Sequence, residues 1–227
     1  MRRWMSMYDY VFNDLVDIPA GKVTLTGELV IPEKAKGLII FSHGSGSSRL
    51  SPRNTFVANI LQSQDFATLM LDLLTREEDL IYENRFNIDL LSDRLIAATH
   101  WIYQRTDTKG LNIGYFGAST GAASALIAAS KLGDKIQAIV SRGGRPDMAI
   151  NHLTNLSAPT LLIIGGLDYY VRQLNEQAYA AIPSEKRIII IPGASHLFEE
   201  PGKLEEVASL AGKWFRKYLS KEEKVLI

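Results

Sequence analysis

The 227-residue chain is expected to fold as an α/β protein, a mostly parallel central sheet with helices on both faces. Two features of the sequence lead there. Short, continuous apolar runs recur along it, as strands covered on both sides require. Between them, apolar residues return every three or four positions, as amphipathic helices require. Their alternation builds βα units and hence a parallel sheet.

The elements follow in order. Residues 23–30 alternate, with Thr24, Thr26 and Leu29, which suits a half-exposed strand. The opening stretch, about residues 11–30, is expected to form an antiparallel edge. The apolar runs at 38–41, 67–71, 113–116, 138–140, 161–164 and 188–191 supply the parallel strands. Ser51-Pro52 reads as a helix cap with proline at the first helical position, and Phe56, Ile60 and Leu61 continue it. Ile88, Leu91, Leu95, Ala98 and Ile102 mark a second stripe. Val171, Leu174, Ala178 and Ala181 mark another, and Leu204, Val207, Leu210, Trp214 and Tyr218 a last one. No repeat, low-complexity tract or linker divides the chain, so one domain over residues 1–227 is expected.

Composition narrows the function. Apolar residues make up 46% and charged residues 22%, which is globular rather than disordered. Lys+Arg and Asp+Glu are both 25, so the basic excess of a general nucleic-acid or anionic-membrane binder is missing. Cysteine is absent, which removes disulfides, thiolate metal sites and a cysteine nucleophile. No apolar run approaches a membrane span, and Asp9, Asn13, Asp14 and Asp17 interrupt what could pass for a signal peptide. A cytoplasmic protein is expected. The aromatic cluster Trp4, Tyr8, Tyr10 and Phe12, with Met5 and Met7, is expected to pack on its own domain or in a homodimer.

The chemistry centres on Gly117-Ala118-Ser119-Thr120-Gly121, which follows a strand and opens a helix rich in small residues. G-x-S-x-G in that context is a nucleophile elbow, where the flanking glycines avoid collisions on a sharp turn. A nucleophilic serine needs a base and an orienting acid. His196 and Asp168 leave the carboxyl ends of later strands, in the chain order Ser, Asp, His. His43, His100 and His152 are the rival bases, and Asp72 and Asp147 the rival acids. The backbone N–H of Thr120 is one expected oxyanion donor. The other comes from His43-Gly44-Ser45-Gly46, with Ser45 ahead of Gly44. Position 49 is arginine, so a dinucleotide fingerprint is incomplete there.

Together these segments resemble the α/β-hydrolase superfamily, and within it the dienelactone-hydrolase-like branch. The resemblance runs from about residue 20 to 219 and includes residues 43–49, 117–121, 141–147, 166–168 and 193–198. It implies an α/β-hydrolase fold. Dienelactone hydrolases proper use a cysteine nucleophile, and Ser119 stands in that place here, so an esterase-type serine is implied rather than lactone specificity. About 18 residues separate the strands at 138–141 and 160–164, which leaves no room for a lid domain. Residues 74–85 are the other candidate cover, or a solvated connection.

Arg142 and Arg145 follow a strand end in a glycine-rich turn. An arginine there suits an anionic substrate, since its fork binds carboxylate or phosphate. The competing role is an ion pair with Asp147 or Glu78. The expected function is hydrolysis of a small-molecule ester or lactone through an acyl-enzyme intermediate, without metal or organic cofactor. The same triad would serve a thioesterase, an amidase or peptidase, or an acyltransferase. A binding protein with an inert triad is the non-enzymatic alternative.

Overall fold

The computed structural model describes residues 10–220. Its strands form one eight-stranded sheet in the order β1-β2-β4-β3-β5-β6-β7-β8. β1 (Tyr10–Ala20) and β2 (Val23–Pro32) pair antiparallel as the expected edge, and β2 also meets β4 (Phe66–Leu71) antiparallel. From β4 onward the sheet is parallel, through β3 (Gly37–Ser42), β5 (Ile113–Ala118), β6 (Ala138–Arg142), β7 (Thr160–Gly165) and β8 (Lys186–Ile191). Every residue of β3, β4, β5, β6 and β7 is buried, which accounts for their unbroken apolar runs.

Helices cover both faces. α1 (Pro52–Gln62) and α6 (Lys203–Leu219) pack on one, where Val57, Leu61, Phe66, Phe116 and Phe215 form a core. α3 (Ile88–Gln104) and α4 (Thr120–Leu132) lie on the other, with Leu95, Ile102, Tyr115 and Leu126 beneath them. The stripe of α5 (Tyr169–Ala181) joins that second core through Ala178. The Ser51 cap is formed, its hydroxyl accepting from the Asn54 amide.

Residues 74–85 are more ordered than a solvated connection. Thr75 and Glu78 close a capping box that starts the single-turn helix α2 (Arg76–Asp79), and a 3₁₀ segment, Tyr82–Phe86, follows. Between β6 and β7 there is only a 3₁₀ segment, Pro146–Asn155, and no lid domain. Phe12 packs on the domain's own core, with the Arg105 guanidinium 4.8 Å from its ring centre. Trp4, Met5, Met7 and Tyr8 lie outside the described residues. No helix among the described residues is long and apolar enough to cross a membrane.

β3 is flanked by β4 on one side and β5 on the other, so the connections leaving β3 and β5 diverge to opposite sides of the sheet. A crevice opens outside the carboxyl ends of the strands at such a switch point. The segments carrying Ser45 and Ser119 both emerge there.

Candidate active site

The turn from β5 into α4 is strained at one residue. Ser119 has φ 51° and ψ −124°, a region that a side-chain-bearing residue occupies only when its surroundings hold it there. Three backbone bonds do so. The Ser119 N–H donates to the Arg142 carbonyl at 3.2 Å, and its carbonyl accepts from Ala122 at 3.1 Å and Arg145 at 3.0 Å. The flanking glycines are sterically required. A Cβ at Gly117 would stand 2.5 Å from the Ala122 Cα, and one at Gly121 would run into the carbonyls of Ser42 and His43.

Asp168 and His196 sit on adjacent loops laced together by their backbones. The Gly166 N–H donates to the Ile191 carbonyl at 2.8 Å, and the Leu167 N–H to the Ala194 carbonyl at 2.9 Å. This brings Asp168 Oδ2 to 2.6 Å from His196 Nδ1. A proton on Nδ1 is thereby fixed, and Nε2 is left as the ring's free nitrogen. His196 and Ser119 line the same cavity of about 190 Å³. Among the described residues the Ser119 hydroxyl makes no hydrogen bond, so its expected direct bond to His196 is not formed. Such bonds commonly tighten only with substrate in place.

The rival residues are occupied elsewhere. Asp72 binds Arg49 and Asp147 binds Arg145, each through both carboxylate oxygens. His43 is wedged between two backbone groups. Its Nδ1 lies 3.0 Å from the Gly44 carbonyl and its Nε2 accepts from the Leu73 N–H at 3.1 Å. That arrangement fixes the Nδ1–H tautomer, and burial pushes the ring's pKa below its ordinary value of 6.5. His43 ties the loop after β3 to the end of β4. His100 is exposed on α3, and His152 lies in the 3₁₀ segment after β6.

The loop after β3 departs from expectation at Ser45. Its amide does not point freely into the cavity. It donates to the Thr120 hydroxyl at 2.8 Å, because the loop lies across the first turn of α4. Gly44 lies against the serine, where an added Cβ would be 3.1 Å from the Ser119 Cβ.

Arg142 lines the same cavity and is only 6% exposed. Neither ion pair expected for it exists. Asp147 is taken by Arg145, and Glu78 by Arg94 at 2.5 Å. Arg53 and Asn54, at the start of α1, complete this wall together with Ser51. The sequence reading missed them as site residues, although the Ser51-Pro52 start of α1 right after the loop was a usable signal. The 74–85 segment does not wall this cavity. Leu74, Thr75, Arg76 and Asp79 line an adjoining depression beside His43 and Arg49, and Asp79 and Arg85 line another that shares Ser47, Ser51 and Arg53 with the Ser119 cavity.

Comparison with known proteins agrees with this architecture. The chain is 52% identical over 207 residues to a Mycobacterium tuberculosis protein that bears the provisional name phosphoribosyl transferase. That match covers 91% of this chain and 47% of the relative, so the chain spans about half the length of the curated relatives it matches. A crystal structure of dienelactone hydrolase from Anabaena variabilis is 52% identical, with a TM-score of 0.89 over 92% of this chain and 98% of that one. Est1E from Butyrivibrio proteoclasticus shares the fold at 15% identity, with a TM-score of 0.78 over 90% and 98%. The Pyrococcus furiosus esterase Pf2001 does so at 20% identity, with a TM-score of 0.71 over 94% of each chain. The family model of the Dienelactone hydrolase family matches residues 25–220, and the chain belongs to that family of α/β-fold hydrolases.

Proposed function

We propose that the protein is a serine esterase that cleaves small carboxylic esters through an acyl-enzyme. The observation that carries this reading is the 2.6 Å Asp168–His196 contact on the wall of the cavity that also holds the strained Ser119. His196 Nε2 takes the Ser119 proton as the serine oxygen attacks the ester carbonyl carbon. The carbonyl oxygen becomes an oxyanion. The amide of Thr120 stabilises it, joined by that of Ser45 once the Thr120 hydroxyl turns aside. Thr120 begins α4, where the leading amides have no carbonyl partner within the helix and the macrodipole favours negative charge.

The tetrahedral intermediate collapses, the alcohol departs with the proton from His196, and the acyl group stays on Ser119. Water then gives a proton to His196 and attacks the acyl carbon. A second collapse returns that proton to Ser119 and releases the acid. Asp168 holds the imidazole in the required tautomer and stabilises the imidazolium. The fold relatives include esterases, in keeping with this chemistry. A panel of p-nitrophenyl esters, with lactones, a thioester and an anilide beside it, tests the reading. Turnover is expected to favour oxygen esters and to vanish in Ser119→Ala. Thioester or amide turnover far above ester turnover would reject it.

A further inference from the structure

Arg142 is the only charged residue among the buried described residues. It has no carboxylate partner there, whereas Arg49, Arg94, Arg105 and Arg145, all more exposed, each hold one. Its contacts are sparse. Nη2 reaches Asn54 Oδ1 at a long 3.5 Å, Nε has no partner, and the Phe198 ring centre lies 6.0 Å away. The charge that most affects it is another cation, Arg53, and burial together with that neighbour lowers its pKa to about 10. At neutral pH it remains charged. A buried, uncompensated guanidinium is costly, and packing alone gives no reason to keep one.

We propose that Arg142, Arg53, Asn54 and Ser51 form a subsite for a phosphate group carried by the ester substrate. The idea rests on the serine-esterase reading of Ser119 and assigns that site its substrate class. The phosphate is bound and not cleaved, while Ser119 attacks the carbonyl of the same molecule. Charge and donor count favour phosphate over carboxylate. A phosphomonoester brings about −1.5 to −2 charges and three acceptor oxygens. Two guanidinium groups face this wall, and the carboxylate that pairs with Arg53, Glu199, is mostly exposed. Asn54 Oδ1 turns to Arg142, leaving its amide N–H groups to donate. Ser51 Oγ accepts the Asn54 amide, leaving its O–H to donate. The first turn of the 11-residue helix α1 contains no acidic residue to oppose an anion. The Ser119 amide bonds the Arg142 carbonyl, so scissile carbonyl and phosphate would be held on neighbouring strand ends.

The test uses the full chain and three acetate esters that differ only at the far end of the alcohol: phosphate, carboxylate or methyl. The phosphorylated ester is expected to exceed both others in kcat/KM, by about 10- to 100-fold over the methyl ester. That preference is expected to collapse in Arg142→Met and to recover in part in Arg142→Lys. Inorganic phosphate should inhibit p-nitrophenyl acetate turnover competitively, and more weakly in Arg142→Met. Equal rates for all three esters, or a carboxylate ester matching the phosphorylated one, would overturn the subsite while leaving the esterase intact. If no ester is turned over, the esterase reading fails instead. The subsite is then read from the thermal shift that phosphate gives over chloride at equal ionic strength. A shift lost in Arg142→Met supports it, and no shift in the parent protein refutes it.

Discussion

The Ser45 amide donates to the Thr120 hydroxyl at 2.8 Å, so one proposed oxyanion donor is held by the side chain of the residue proposed to supply the other. The bond ties the loop after β3 to the first turn of α4, and in the proposed mechanism it yields as the oxyanion forms. Thr120→Ser, which keeps the hydroxyl, should retain most activity. Thr120→Val removes a bond made only before the transition state, so kcat should hold or rise, by up to about 10-fold, with little change in KM. A fall in kcat of about 10-fold for Thr120→Val would mean that the hydroxyl still aligns the loop in the transition state.

Asp168→Asn keeps the size of the side chain but disturbs the imidazole tautomer that the 2.6 Å contact selects. By analogy with other serine triads, kcat should fall by about 10³- to 10⁴-fold, with the folded state retained by circular dichroism. Activity within a few-fold of the parent would remove Asp168 from the mechanism.

His43 contributes to the loss of stability in acid. Its folded pKa lies below 6.5, so the unfolded chain takes up the proton first. Its contribution to stability is therefore complete above pH 6.5 and is lost as pH falls through the folded value. The loss has a limiting slope of about 1.4 kcal/mol per pH unit. Protonation would also set an Nε2–H against the Leu73 N–H. Urea unfolding of the parent and of His43→Gln between pH 7.5 and 5 should show a shallower decline for the variant. Parallel curves would contradict this account.

Burial of Arg142 opposes folding. The fall of its pKa to about 10, from the ordinary arginine value, corresponds to a cost on the order of 3 kcal/mol at neutral pH. Arg142→Met, similar in length and uncharged, should raise Tm by several degrees. A lower Tm would show that the guanidinium holds the fold together.

Much of this was legible in the residues, for physical reasons. The five strands buried over their full length announced themselves because both faces are covered, and the elbow because only glycine fits at 117 and 121. Asp168 and His196 could be chosen because each follows a strand's carboxyl end. Helix α2 was missed because one turn is too short for periodicity, although Thr75 and Glu78 carried its capping box. The direction of the Ser45 amide depends on how a loop crosses a helix. Which of Arg142 and Arg145 pairs with Asp147 depends on burial. Neither is encoded locally.

The central claim is that Ser119 is the nucleophile and His196 its base. The most direct measurement is intact-mass and peptide analysis after treatment with diethyl p-nitrophenyl phosphate. One diethylphosphoryl group per chain is expected, on the peptide containing Ser119, with stoichiometric release of p-nitrophenol. Labelling should be absent in Ser119→Ala and slowed by orders of magnitude in His196→Ala. Stoichiometric labelling of another residue, with Ser119 unmodified and activity lost, would contradict it.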